Sequence, residues 1–193
     1  MTSTVASAAA FNWTQLTPST PLPASSGAAA DYDAATSQFV VFGAGATGGT
    51  ESSATWVFQS GNWTHLTPPH SPAGRQSAVM AFDSASNQLV LFGGVSFAGG
   101  KVKLFSDTWI WTGTDWTQLF PAHHPSAREA TAMAFDGVTQ DLILFGGGTR
   151  TGDPRDTRTW NGSDWTKLAP AHKPTGRIQA AMAALGSTHG VVG

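Results

Sequence analysis

The chain contains no cysteine and little charge. None of its 193 residues is cysteine, which excludes a disulfide framework and a cysteine nucleophile. Only 11% of the residues are charged and the formal net charge is −2, whereas a nucleic-acid-binding protein needs a basic excess. No apolar run approaches the length of about 18 residues that a membrane helix requires. We therefore expect neither a nucleic-acid partner nor membrane insertion.

Internal repeats dominate the sequence. A segment of the form Asn/Asp-Trp-Thr-x-Leu occurs four times, and its tryptophans follow one another at spacings of 50, 53 and 49 residues. A second series, QFVVFGA at 38–44, QLVLFGG at 88–94 and DLILFGG at 141–147, runs in the same phase. The four tryptophans are Trp13, Trp63, Trp116 and Trp165. Series in register at one spacing indicate a repeat architecture.

Each repeat contains four short segments that are typical of β-strands. DTWIW at 107–111 and the following DWTQL at 115–119 alternate aromatic with polar residues, which is the period of a strand with one buried face. Gly, Asn, Asp and Ser cluster between the segments, as in tight turns. A four-stranded antiparallel meander repeated about every 50 residues predicts an all-β fold, a β-propeller.

The motifs resemble kelch repeats of the galactose-oxidase-like propeller type, which is common in bacteria. The matching elements are the Phe-Gly-Gly sequences at 92–94 and 145–147, the Asp-Thr-Trp at 107–109, and the Gly-x-x-Trp sequences at 113–116 and 162–165. The resemblance covers almost the whole chain. It implies a kelch-type propeller whose late tryptophan packs between adjacent blades. Such propellers mostly bind partners and sometimes catalyse, so the resemblance indicates fold more than function.

The repeat spacing divides the chain, as a single domain over 1–193, into three full blades and two partial ones. The full blades are predicted at 25–68, 75–119 and 128–168, and residues 4–16 and 177–193 supply complementary strands of a fourth, composite blade. Three arrangements stay open. They are a closed four-bladed ring, a homodimer that pools its blades, and a fragment of a longer chain.

The loops sort the charges onto two faces. Loops between strands 2 and 3 and between blades carry eight basic and five acidic residues, a balance of +3, whereas the opposite face carries six aspartates. A basic face attracts anionic ligands, although aspartate also suits tight turns on its own account. We predict ligand contacts from the long loop at 95–106 and from two further arginines: Phe97, Lys101, Lys103, Phe105, Arg150 and Arg177.

Two arginines on this face are predicted to form structural ion pairs. Arg75 and Arg128 occur in blades whose third strand begins with Asp107 and Asp156, respectively, while the first blade lacks both the arginine and the aspartate. This joint presence and absence favours pairing within a blade. Arg177 has no acidic counterpart in its blade, so it stays free for a ligand.

The loops between blades repeat a histidine at His70, His123 and His172, with Thr20 at the corresponding place in the N-terminal copy. Equivalent loops on different blades lie too far apart to share one metal ion, so we expect loop packing and no metal site. The resemblance suggests the copper chemistry of galactose oxidase, but that chemistry uses a Cys–Tyr crosslink. The absence of cysteine excludes it, and we expect no cofactor.

Glu129 is the one candidate for acid–base catalysis, because blades 2 and 4 have Gln76 and Ile178 at its position. The main hypothesis is a non-catalytic binding module for a protein or an acidic carbohydrate. One alternative is part of a carbohydrate-active or oxidase-like propeller with catalytic residues in other blades. Another is a structural segment of a larger surface protein. Low charge with abundant Thr, Ser, Gly and Trp favours an extracytoplasmic location.

Overall fold

The chain folds into three consecutive antiparallel meanders of four strands each. The computed structural model describes residues 12–44, 51–184 and 191–192. The meanders, called blades 1 to 3, follow chain order, and each strand pairs with the one before it. The predicted all-β fold with four-stranded blades is confirmed, and the arrangement is compatible with a β-propeller-like architecture.

Turn chemistry explains why each blade begins with a tight hairpin. The blade 1 strands are β1 (Ala29–Asp33), β2 (Gln38–Phe42), β3 (Thr55–Gln59) and β4 (Asn62–Leu66). At the end of β1, Asp33 accepts hydrogen bonds from the Ala35 amide at 3.0 Å and the Thr36 hydroxyl at 2.6 Å. Asp83 and Asp136 make the same contacts in the next two blades. These aspartates of the acidic face are buried turn residues.

Blade 2 contains an additional small hairpin. Its main strands are β5 (Val79–Asp83), β6 (Gln88–Phe92), β9 (Thr108–Trp111) and β10 (Trp116–Leu119). The loop between β6 and β9 forms the two-stranded pair β7 (Val95–Ser96) and β8 (Lys103–Leu104), with a short 3₁₀ turn at Ala98–Gly100. This loop thereby becomes an ordered projection.

Blade 3 is followed by the beginning of another sheet. Its strands are β11 (Ala132–Asp136), β12 (Asp141–Phe145), β13 (Thr157–Trp160) and β14 (Trp165–Leu168). After it, β15 (Ala183–Ala184) pairs antiparallel with β16 (Val191–Val192), as expected for the first two strands of the composite blade. Residues 12–16, its predicted fourth strand, are described and form no strand, whereas 4–11, 185–190 and 193 lie outside the described residues.

Two apolar clusters join the blades. One packs blade 1 against blade 2 around Val40, Leu89 and Trp116, and the other packs blade 2 against blade 3 around Val90, Leu142 and Trp165. These side chains are almost completely buried. The first strands β1, β5, β11 and β15 contact one another in succession. The core therefore lies between blades, because each sheet buries its faces against its neighbours.

The Phe-Gly-Gly motif brings one blade close to the next. Gly93 and Gly146 both have a φ of +70°, and a Cβ atom at either position would lie 2.6 Å from a backbone oxygen, that of Arg128 or Arg177. The following glycines donate their amide hydrogens to these same oxygens at 2.9 Å. Only glycine combines this backbone conformation with so close an approach.

Candidate functional site

The predicted ion pair of blade 2 lies inside the structure. The Arg75 guanidinium contacts the Asp107 carboxylate through two hydrogen bonds of 2.5 and 2.8 Å, and only 1% of its side chain is exposed. It also donates to the carbonyl oxygens of Ala73 and Gly93 at 3.0 Å. Burial tends to raise the pKa of Asp107, but the hydrogen bonds and charge of Arg75 outweigh it and lower that pKa. A guanidinium so fully satisfied has a structural role.

Blade 3 repeats the pair and adds a second arginine. Arg128 contacts Asp156 at 2.8 and 3.2 Å, and the Arg158 Nε donates to the same carboxylate at 2.9 Å. In blade 2 the corresponding donor is the indole nitrogen of Trp109, at 2.8 Å from Asp107. Although burial opposes ionisation, hydrogen bonds from the two arginines lower the pKa of Asp156 to about 2. The carboxylate thus stays ionised.

A basic pocket opens beside this pair in blade 3. Its volume is about 660 Å³. It is lined by five cationic side chains and by a single carboxylate. Since Asp156 is already neutralised by its two arginines, the pocket has a positive potential that attracts anions. The lining consists of Ser126, Arg128, Pro154, Arg155, Asp156, Arg158, Lys167, Ala171 and Lys173.

Four of the five cations of this pocket are found in blade 3 and not in blade 2. Counting back 49 residues gives the equivalent positions of blade 2, four of which lack the lysine or arginine found in blade 3. Blade 2 also has Phe105 where blade 3 has Pro154. At these four positions, Arg155 of blade 3 corresponds to Ser106 of blade 2, Arg158 to Trp109, Lys167 to Gln118, and Lys173 to His124.

Two of the pocket cations face each other across neighbouring strands. Arg158 on β13 is the register partner of Lys167 on β14, so both side chains leave the sheet on the same side. Like charges directly opposite each other are unfavourable unless a counter-charge is near. The Asp156 carboxylate is the counter-charge of Arg158. The Lys167 ammonium group, in contrast, makes no hydrogen bond or ion pair within the described residues. An anionic ligand would relieve this repulsion.

The other two cations border the pocket from loops. Arg155 donates from Nε and Nη2 to the carbonyl oxygens of Pro174 and Lys173, both at 3.1 Å, which ties the two loops together and leaves Nη1 available. The Lys173 ammonium group has no described partner. The pocket therefore offers guanidinium and ammonium donors, which suit carboxylate, sulfate and phosphate groups.

The loop predicted from the sequence to contact a ligand has both exposed and buried side chains. Lys101 and Lys103 are exposed on the β7–β8 projection, and Phe97 is 43% exposed with its amide held by the Glu51 carboxylate. Phe105 is 7% exposed, because its ring lies against the Arg75 guanidinium at 3.7 Å and the Lys103 ammonium group at 4.8 Å. The ring of Phe105 thereby covers the buried guanidinium of Arg75, and its predicted contact with a ligand stays a prediction.

The two additional arginines do not join the basic pocket. Arg150 donates to the Val102 carbonyl oxygen at 2.6 Å and links the loop of blade 3 to that of blade 2. Arg177 donates to the backbone and hydroxyl oxygens of Thr175, both at 3.2 Å, and meets no carboxylate within the described residues. Their roles in ligand binding stay predictions.

Glu129 lies next to Arg128 in a short backbone bridge. Its amide donates to the Gly148 carbonyl oxygen at 3.0 Å, and the Gly148 amide donates back at 2.8 Å. Partial burial raises the pKa of the Glu129 carboxyl group. A raised pKa suits a general acid, but one carboxylate does not define a reaction.

The repeated histidines connect successive blades. His70 donates its backbone amide to Asp115 at 2.8 Å and places Nδ1 2.8 Å from the other oxygen of that carboxylate, and His123 makes the same contacts with Asp164. Both histidines thus make the same hydrogen bonds between blades, while their side chains are 75% exposed. In the N-terminal copy, Ser19 rather than Thr20 occupies the equivalent place, through its amide and hydroxyl contacts with the Asn62 side chain. Within the described residues, no three His, Asp or Glu side chains cluster as metal ligands.

Comparisons with known proteins do not assign this chain to a family. No protein-family model matches the sequence, and no curated protein matches it. In the described part of the chain, no helix is long and apolar enough to cross a membrane. The functional argument therefore depends on the geometry of the site.

Sequence reasoning missed the pocket residues Arg158 and Lys167. Both lie on strands, whereas the search for ligand contacts considered loops. A signal was nevertheless present, because Arg158 replaces the tryptophan of the Asp-Thr-Trp motif, and Lys167 replaces Gln118 at the same repeat position. Aligning the repeats column by column would have identified both changes.

Proposed function

We propose that this protein is a non-catalytic binding module of the kelch-repeat type, in which the basic pocket of blade 3 holds an acidic partner. The Phe-Gly-Gly and Trp motifs carry the kelch assignment, since they make the contacts between blades. One observation carries the function. At four pocket positions blade 3 has a lysine or arginine where blade 2 has none, around a cavity of about 660 Å³.

The pocket favours charged groups over neutral sugars. Its lining includes no aromatic side chain on which a sugar ring would stack, because the motif tryptophan is replaced by Arg158. Guanidinium groups instead form paired hydrogen bonds with carboxylates and sulfates. The partner is an acidic carbohydrate or an acidic segment of a protein, and the two classes are separated by experiment.

The test is calorimetric titration with three probes: a sulfated or uronic-acid oligosaccharide, a poly-glutamate peptide and a neutral oligosaccharide. The expected result is binding of an acidic probe that weakens with added salt, because exposed charges are screened. The triple variant R158W/K167Q/K173H gives blade 3 the residues of blade 2. We expect it to lose at least about tenfold in affinity. Its thermal midpoint should change little, because an indole at position 158 can donate to Asp156 as Trp109 donates to Asp107, and Lys167 and Lys173 make no ion pair within the described residues.

The control variant K101A/K103A removes two cations from the β7–β8 projection. Affinity should be retained in this variant if the pocket is the site. Loss of affinity in the control with retention in the triple variant would move the site to the projection predicted from sequence. Failure of the wild-type protein to bind either acidic probe would refute the proposed function.

A further inference from the structure

A row of aromatic side chains crosses the face of blade 1 that is turned away from blade 2. The strand register places Tyr32 opposite Phe39, Phe39 opposite Phe58, and Phe58 opposite Trp63. Residues directly opposite each other have their side chains on the same face of a sheet, and the alternate residues of β2 and β3 pack against blade 2. Each strand of blade 1 therefore contributes one ring to the row.

Blades 2 and 3 differ from blade 1 in this row. Both have a leucine at the position of Phe39, so blade 1 alone of the three has four aromatic residues across the sheet. In blade 2 that leucine, Leu89, is almost completely buried against blade 1 together with Trp111 and Trp116. In blade 1, by contrast, Tyr32 is 50% exposed and Phe39 is 39% exposed. The rings of blade 1 are thus accessible to a ligand.

A groove of about 610 Å³ lies over the aromatic row. Leu16 and Pro18 of the N-terminal segment complete its lining. This segment is held on blade 1, because the amide and the hydroxyl of Ser19 donate to the Asn62 side chain at 2.8 and 3.0 Å. Pockets for small molecules typically have volumes of about 300 to 1,000 Å³ and mostly apolar walls. The groove has the size and the walls of such a pocket.

The rings that line this aromatic groove are inclined to one another. Trp63 meets Phe39 at a centroid distance of 6.2 Å and an interplanar angle of 76°, and it meets Phe58 at 5.2 Å and 54°. The ring faces therefore point in different directions and do not form one flat surface. A sugar stacks on a flat aromatic face, whereas a rounded trimethylammonium group contacts several rings at once. The inclination of the rings favours the rounded group.

The charges of this part of the chain suit a cation. Residues 1–74 include three acidic residues and no lysine or arginine, and all ten basic residues follow from Arg75 onward. The lining of the aromatic groove contains no charged side chain that would repel a cation. The faces of aromatic rings carry negative potential and attract cations. A quaternary ammonium group also has no N–H that an apolar groove would leave without a hydrogen-bond acceptor.

We propose that the aromatic groove of blade 1 binds a small quaternary ammonium compound of the choline type. Phe39, Phe58 and Trp63 surround its trimethylammonium group. The hydroxyl groups of Ser37 and Ser60, which also line the groove, bind its polar end. This site goes beyond the proposed function and shares no residue with the basic pocket of blade 3, so either can fail without the other.

NMR titration of the full chain tests the site. The indole signal of Trp63 is assigned by its loss in Trp63→Phe. The probes are choline and the neutral alcohol of the same shape, in which a carbon atom replaces the charged nitrogen. We expect saturable shifts of the Trp63 indole signal with choline, and an affinity at least about tenfold weaker for the neutral alcohol, because ring faces attract only the cation.

A matched pair of variants locates the binding. Phe39→Leu gives blade 1 the residue that blades 2 and 3 have at this position, and it should weaken choline binding about fivefold by removing one ring face. Phe120→Leu makes the same change at a phenylalanine that is 85% exposed elsewhere, and it should leave the affinity unchanged. The thermal midpoint of each variant shows that the fold is retained.

Four results would overturn the inference. Equal affinities for choline and the neutral alcohol would mean that the groove takes apolar groups regardless of charge. Shifts with a neutral oligosaccharide but not with choline would assign the groove to sugars. Tighter binding of a trimethyllysine peptide than of choline would assign it to a protein partner. A Trp63 signal that changes with protein concentration alone, with the mass of a dimer by light scattering, would make this face a contact between copies.

Discussion

Blades 2 and 3 share a buried arginine–aspartate pair but differ in its surroundings. In blade 2 the ring of Phe105 covers Arg75, and Trp109 hydrogen-bonds to Asp107. In blade 3 a proline replaces the phenylalanine, an arginine replaces the tryptophan, and a pocket of about 660 Å³ is present. Removing one aromatic cover and adding cations thus converts a structural joint into a candidate anion site.

The comparison separates scaffold from function. Both buried arginines also donate to the carbonyl of the first glycine in Phe-Gly-Gly at 3.0 Å, so the pair fixes the blade's own second strand in both cases. The side chains around it are free to vary, and it is there that blade 3 has become basic.

The largest effect is expected from removing either carboxylate that pairs with a buried arginine. Asp107→Ala and Asp156→Ala should each lower the unfolding free energy by about 3 to 5 kcal/mol, because a buried guanidinium loses its counter-charge. Asp156→Ala should cost more, since it also leaves Arg158 opposite Lys167 without compensation. Urea denaturation measures both, with the exposed Asp153→Ala as control. A smaller loss for Asp156→Ala than for Asp107→Ala would contradict the added role of Arg158 and Lys167.

The next effect concerns the glycines that join the blades. Gly93→Ala and Gly146→Ala should each cost about 2 to 4 kcal/mol, from the left-handed backbone and the clash of the new methyl group with the next loop. Gly99→Ala is the control, because Gly99 has a φ of +65° in open space and should cost only about 1 kcal/mol. Equal losses at all three positions would mean that the close approach is unimportant.

A moderate loss of stability is expected at acidic pH. The folded-state pKa of Asp156, about 2, lies below the unfolded value, so its contribution is present above pH 4 and is lost as the pH falls toward 2. We expect a loss of about 1 to 2 kcal/mol over that range, measured by urea denaturation at each pH. Arg158→Met should flatten this dependence in blade 3. Trp109→Phe is the matched control, because it removes the corresponding donor to Asp107. If stability depended on pH in Arg158→Met as it does in the wild-type protein, Arg158 would not stabilise the ionised Asp156.

The smallest effect is expected at the exposed histidine contacts. His70→Ala and His123→Ala remove equivalent contacts between successive blades, and exposed pairs contribute little. Each change should lower the thermal midpoint by less than any of the buried substitutions, and by a similar amount. A large fall of the thermal midpoint in only one variant, measured by calorimetry, would show that the two contacts contribute unequally to stability.

Much of the fold could be predicted from the repeat. The strand order, the blade limits and the pairs Arg75–Asp107 and Arg128–Asp156 follow from residues that recur at a fixed spacing. The lining of the basic pocket was not predicted. Phe105 is buried against Arg75, and Arg158 and Lys167 were missed, because which side of a strand faces a cavity depends on how blades pack.

The sequence by itself determined the repeat, and with it an all-β chain of four-stranded units joined by tryptophan and double glycine. Local propensity and period-2 patterning are sufficient for this, because they act within a few residues of each other. Only the tertiary structure decided which charged side chains converge. Arg155, Arg158, Lys167 and Lys173 come from two loops and two strands, and the register of β13 with β14 and the hydrogen bonds between the two loops bring their charges around one pocket.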